Sequence, residues 1–181
     1  MNHAIETELK MLLTREQFNK LVSLYQPLDF VKQVNTYYKN NNSRHYAFRI
    51  REKEGTLLFT LKNKTSDGVM EYEKVITGAP EDDADVVKTV AEFGITPPYE
   101  VLGQLITYRA MRVDEFAELC FDINLYNGMF DYEVEYEVKK EHDHKKAFKK
   151  ILKKAGIKYV ANKESKYRRF VNTAGENNEV K

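Results

Sequence analysis

Polar and apolar residues alternate with a period of two along most of this chain, and the charged residues fall repeatedly on one parity. Residues 3–13 show this first: Glu6, Glu8 and Lys10 share one parity, while Ile5, Thr7, Leu9 and Met11 share the other. Successive side chains of a strand point to opposite faces, so the segment reads as a strand with one charged face. The same pattern predicts strands over residues 30–39, 45–52, 56–63, 69–77, 104–113, 115–124 and 130–139. Arg49 and Arg51 oppose Phe48 and Ile50, and Thr60 and Lys62 oppose Leu57, Phe59 and Leu61. Glu71 and Glu73 oppose Met70 and Tyr72; Asp122 opposes Phe121 and Ile123; Glu133, Glu135 and Glu137 oppose Tyr132, Val134 and Tyr136. Arg109 and Arg112 lie on opposite parities. Turns are expected at 40–43, at Glu54-Gly55, at 65–68 and at Asn127-Gly128, the last a strong hairpin signal.

A period near four takes over in three places. Thr14 and Gln17 have capping-box spacing and open a helix with Phe18, Leu21, Val22 and Tyr25 on one face, ended before Pro27. Residues 81–93 carry Val86, Val87, Val90 and Phe93, stop at Gly94, and divide the chain into two strand-rich halves. From His142 to Ala155, Phe148, Ile151 and Leu152 face inward while a run of lysines faces water. The polar residues 174–181 are expected to form a disordered tail behind a single domain of residues 1–173. The expected fold class is α+β. Eight antiparallel strands with flanking helices can close into a barrel, which removes exposed edges.

Composition limits the possible functions. The chain has 181 residues, of which 42% are hydrophobic and 31% charged, with 29 Lys and Arg against 28 Asp and Glu. A net charge of +1 gives no global field for nucleic acid, which is not expected as a partner. No apolar run is long enough for a membrane span, and the N-terminus lacks an apolar signal core. Cys120 is the only cysteine, so no internal disulfide can form; a cytoplasmic location is expected.

One strand with a charged face reads most simply as a solvated surface. Seven such strands, each apolar on the other parity with helices available to cover that side, suggest that the charged face is the inside. The basic set of Lys10, Arg49, Arg51, Lys62 and Arg109 suits a chain of phosphates. The acidic set of Glu6, Glu8, Glu71, Glu73, Asp122, Glu133, Glu135 and Glu137 would repel that ligand. Divalent cations between carboxylate and phosphate oxygens remove the conflict. His3, His45, His142 and His144 have no metal-binding spacing on one element, Cys120 reads as a packing residue, and no glycine-rich phosphate loop is present.

The ordered series Glu6-x-Glu8-x-Lys10, Arg49-x-Arg51, Lys62, Glu71-x-Glu73, Arg109, Asp122 and Glu133-x-Glu135 resembles the CYTH, or triphosphate tunnel metalloenzyme, superfamily, over about residues 4–170. It looks closest to the small CYTH proteins of Gram-positive bacteria. The resemblance implies an eight-stranded closed tunnel, Mg²⁺ or Mn²⁺, and hydrolysis of inorganic, nucleoside or thiamine triphosphate. It implies metal ligation by Glu6, Glu8, Glu133 and Glu135, and water positioning by Glu73 or Asp122. Phosphate binding falls to Lys10, Arg49, Arg51, Lys62 and Arg109, with a C-terminal base from among Lys163, Lys166 and Arg168. The partner would be a triphosphate-containing small molecule, and the protein a monomer or homodimer. An adenylyl cyclase on the same scaffold and a non-catalytic triphosphate or polyphosphate binder are the alternatives.

Overall fold

A computed structural model describes residues 1–40, 43–66 and 68–174. The expected turn residues Asn41, Asn42 and Asp67, the side chain of His45, and the expected tail beyond Ala174 lie outside the described residues. The strands are β1 (Asn2–Glu6), β2 (Glu8–Leu13), β3 (Val31–Asn40), β4 (Ser43–Lys53), β5 (Thr56–Thr65), β6 (Gly68–Ile76), β7 (Val101–Val113), β8 (Ala117–Tyr126) and β9 (Met129–Val138). The helices are α1 (Arg15–Ser23), α2 (Ala84–Ala91), α3 (His144–Lys154) and α4 (Lys166–Ala174), with a 3-10 turn at Pro80–Asp82.

The strands hydrogen-bond in the order β1-β6-β5-β4-β3-β7-β8-β9-β2. This corrects the expected closed eight-stranded barrel: among the described residues there are nine strands, and their order is open, with ends at β1 and β2. Thr7 is the reason. It interrupts the first expected strand, so β1 pairs antiparallel with β6 while β2 pairs antiparallel with β9. Thr7 leaves the strand but keeps its carbonyl satisfied by the Val138 N–H at 2.9 Å.

The chain divides into two compact units, Met1–Glu6 with Lys32–Ile106, and Thr7–Val31 with Thr107–Lys181. In the first, the apolar parities of β4, β5 and β6 meet α2 in a core of Phe48, Ile50, Phe59, Leu61, Ile76, Val86, Val90 and Ile95. Phe48 stacks on Tyr38 with ring centres 4.6 Å apart and takes Tyr99 edge-on at 5.0 Å. The expected helix over 81–93 is shorter because Asp83 caps it, its carboxylate accepting from the Asp85 and Val86 N–H groups. Glu54 and Gly55 both have positive φ, 49° and 77°, as a two-residue hairpin turn between β4 and β5 demands.

In the second unit, α1 and α3 cover the apolar parity of β2, β8 and β9. Phe18 and Leu21 from α1, and Phe148 and Leu152 from α3, pack with Met11, Leu119, Phe121, Val134 and Tyr136. Each such burial stabilises by about 1.5–3 kcal/mol. The expected capping box is present, with Thr14 accepting from the Gln17 N–H and the Gln17 side chain accepting from the Thr14 N–H. α3 starts later than expected, because Asp143 is its cap. Asn127 and Gly128, at φ 49° and 75°, turn β8 into β9. No helix among the described residues is long and apolar enough to cross a membrane.

Candidate functional site

With apolar side chains committed to the helix-covered face, the opposite parity of each strand must carry the charge. In the second unit that charge is buried. Register places Asp122 of β8 opposite Glu133 of β9, and Cys120 opposite Glu135. On the other side of β9, Lys10 faces Glu135 and Glu8 faces Glu137. Asp122 and Glu133 are fully buried, and Glu135 is 5% exposed. Isolated carboxylates cannot stay ionised at such depth, so cations must accompany them.

Three do. Arg109 of β7 clamps Asp122 with two parallel bonds, Nε to Oδ1 at 2.8 Å and Nη2 to Oδ2 at 2.7 Å. It also donates to Glu135 and, at 3.1 Å, to Glu137. Lys166, the first residue of α4, places Nζ 2.9 Å from Asp122 Oδ2 and 2.9 Å from Glu133 Oε2, and in contact with Glu135. Arg169 follows one helical turn later and donates to Glu133 Oε2 at 2.9 Å and Asp131 Oδ2 at 2.8 Å. Asn162 adds a donor to Glu133 Oε1 at 3.0 Å.

These contacts set the protonation states. Burial opposes ionisation of Glu135, but Lys166 and Arg109 outweigh it and hold the carboxyl well below its usual range. Burial likewise opposes ionisation of Asp122, and Arg109 with Lys166 brings it down. Burial pulls Lys166 downward, yet Asp122, Glu133 and Glu135 hold it well above its ordinary value. Asp122, Glu135 and Lys166 are therefore held in their charged forms at neutral pH.

Asp122, Glu133 and Glu135 each offer an oxygen within 4.8 Å of the others. Three hard oxygen donors suit Mg²⁺ or Mn²⁺. The Lys166 ammonium lies among these oxygens. The residues fit a divalent metal.

In the first unit, Lys62 of β5 pairs with Glu6 of β1 at 2.6 Å and Glu71 of β6 at 3.3 Å. Arg49 donates to Thr60 Oγ1 at 3.1 Å, and that hydroxyl donates to Glu73 at 3.3 Å. Arg51 donates to Asn35 Oδ1 at 3.0 Å, while Asn35 is itself held by the Leu105 carbonyl at 3.2 Å. Parity thus brings Glu6, Arg49, Arg51, Lys62, Glu71 and Glu73 onto one charged face with its own supporting network.

Several placements differ from the sequence expectation. Arg109, expected to bind phosphate, has its donors on Asp122, Glu135 and Glu137. Asp122, expected to position water, joins Glu133 and Glu135. Glu8 pairs with Lys10 at 2.5 Å. Among the C-terminal bases, Lys166 enters the cluster, whereas Lys163 and Arg168 are exposed. Arg112 donates to the Tyr25 carbonyl at 2.5 Å and to that of Pro27, a structural role on the other parity. Cys120 is buried, but on the charged parity, with Sγ 3.8 Å from Glu137 Oε1. Its apolar sequence neighbours point the other way. Burial pushes its thiol up, so it is no nucleophile. His142 bonds to the Tyr136 hydroxyl at 2.9 Å.

Asp131, Asn162 and Arg169 were missed. Asp131 could have been found, since it continues the Glu133–Glu137 parity by one step. Arg169 stands three residues after Lys166, and a helical reading would have placed both on one face.

The CYTH domain family model matches residues 4–171, and the chain belongs to this family. Bacillus subtilis YjbK, named provisionally as a triphosphatase, is 30% identical over 170 residues, 87% of this chain and 90% of its own. A solved Bacillus halodurans protein, described provisionally as an adenylate cyclase, is 30% identical with a TM-score of 0.81, covering 94% of this chain and 99% of its own. The Hippeastrum protein HpAC1, described as revealing a dominant triphosphatase activity, is 22% identical with a TM-score of 0.74, over 93% and 96% of the two chains. At that identity the likeness is one of fold.

Proposed function

We propose that this protein is a metal-dependent triphosphatase that hydrolyses inorganic triphosphate or a nucleoside or thiamine triphosphate. The observation that carries the reading is the buried triad of Asp122, Glu133 and Glu135, whose oxygens converge within 4.8 Å. The family and the name of its 30% identical relative YjbK support it. Glu133 and Glu135, with Asp122, hold Mg²⁺ or Mn²⁺; Glu6 and Glu8 are the further ligand candidates. Such a cation, when bound, supplies charge neutralisation and water activation. Arg109 orients the triad by its two-pronged grip on Asp122. Lys10, Arg49, Arg51 and Lys62 bind and align phosphate oxygens, and positioning with electrostatics carries most of phosphoryl transfer. Glu73, linked through Thr60 to Arg49, is the candidate for holding the attacking water's proton. The reading is of a cytoplasmic protein, monomeric or homodimeric, acting on small molecules.

Product analysis over a panel of triphosphates, with Mn²⁺, with Mg²⁺ and with chelator, tests this. Released phosphate that depends on metal is expected. Cyclic AMP with pyrophosphate would establish the cyclase suggested by the name of the Bacillus halodurans relative. Unchanged ligand with measurable binding would establish a non-catalytic module.

A further inference from the structure

The three carboxylates suited to a divalent ion are the same three that Lys166 contacts. Its Nζ lies 2.9 Å from Asp122 Oδ2, 2.9 Å from Glu133 Oε2, and against Glu135. An ammonium has three donors and here meets three carboxylate oxygens. A divalent cation bound by those oxygens would stand within a few ångströms of that nitrogen, where like charges repel strongly in a buried setting. Ammonium and metal are therefore alternatives.

α4 has anchors other than Lys166. Phe170 is 3% exposed. Asn127 Nδ2 donates to the Phe170 carbonyl at 2.7 Å and to Thr173 Oγ1 at 2.9 Å. Arg169 keeps Asp131 and Glu133. Lys166 is the first residue of the helix, and its flexible four-carbon stem can swing out without unwinding it.

We propose that Lys166 is a tethered counter-ion that fills the cation position of the Asp122–Glu133–Glu135 triad in the metal-free protein, so that divalent metal enters only by displacing its ammonium. The inference rests on the proposed metal-holding role of this triad. It makes the metal affinity of the site a difference between two cations, one of them covalently supplied.

Mn²⁺ binding to the full chain, followed by the electron paramagnetic resonance signal of free Mn²⁺, tests this without any turnover. Lys166→Met and Lys166→Gln should each bind Mn²⁺ at least about tenfold more tightly than wild type, the scale of one charge-assisted contact that need not be broken. Glu133→Gln should lose the tight site in the same titration. Equal or weaker affinity in both Lys166 variants overturns the proposal and leaves the metal reading standing. Absence of bound Mn²⁺ in every chain, Lys166 variants included, overturns both. Should the variants fail to fold, amine acylation of wild type provides the answer. Lys166 should be protected without metal and become reactive in saturating Mg²⁺, read by peptide mass; protection unchanged by Mg²⁺ overturns displacement.

Discussion

Arg109→Met removes a cation that touches three carboxylates while keeping an unbranched stem of similar length. Asp122, fully buried, loses both arms of its clamp and retains only Lys166. Glu135 loses one of its two buried partners, and Glu137 loses its 3.1 Å donor. Breaking a buried pair from one side costs about 3–5 kcal/mol, because the remaining charge is left uncompensated. Urea unfolding at neutral pH should show a loss of that size. The pH dependence separates this cause from simple loss of packing. Folding depresses the pKa of Asp122 and Glu135. Such groups stabilise above their unfolded values, near about 4, and the contribution disappears as pH falls through the lower folded values. Without Arg109 the two carboxyls protonate at higher pH, so the gap between variant and wild type should narrow on acidification. A loss below about 1 kcal/mol, typical of exposed pairs, or a gap that is constant with pH, would refute the assignment of these contacts as a desolvated ion cluster.

Activity should vanish in excess chelator and return with Mg²⁺ or Mn²⁺; full hydrolysis in chelator would exclude a metal role. Glu8→Gln should cost more than about a hundredfold in turnover while leaving the thermal midpoint near wild type, the scale of losing one strong electrostatic contact at a reacting site. Calorimetric titration of tripolyphosphate with metal present should show Arg51→Ala weakened by about 1.5–3 kcal/mol and Arg112→Ala unchanged, since Arg112 holds the carbonyls of Tyr25 and Pro27. Gly128→Ala should lose about 1–2 kcal/mol of stability. An added Cβ meets nothing within 4 Å there, so the cost comes from the φ of 75° alone and chemical denaturation reads it cleanly.

Alternation made the charged face legible, because side-chain direction depends only on the backbone of the strand itself. Glu6, Glu8 and Lys10 keep their parity straight through Thr7, and for the same reason the break at Thr7 was invisible. The hydrogen-bond partner changes from β6 to β9 there, and partners are set by distant segments rather than by local pattern. Cys120 is buried, as a packing residue should be, but parity puts it on the charged face rather than with Leu119 and Phe121, and its Sγ lies 3.8 Å from Glu137. The contribution of α4 was only half legible. Lys166 drew notice as a basic residue, but the burial of Arg169 depends on Asp131 and Glu133 already facing inward from β9.

The two faces of the second unit do different work. Its apolar parity, with Phe18, Leu21, Phe148 and Leu152 pressed on Leu119, Phe121, Val134 and Tyr136, supplies a core of ordinary kind. Its charged parity sinks Asp122, Glu133 and Glu135 beside Arg109, Lys166 and Arg169. A buried ionic cluster is poor value for stability, since well-packed apolar residues of similar volume often stabilise as much or more. Stability therefore does not account for a second buried layer made of charge. The proposed cation site would account for it: it calls for convergent carboxylates fixed in place, and Arg109 and Arg169 hold them from the sides. Of the three cations, Lys166 alone contacts all three carboxylates at once, and it is the one carried on a flexible stem at a helix end.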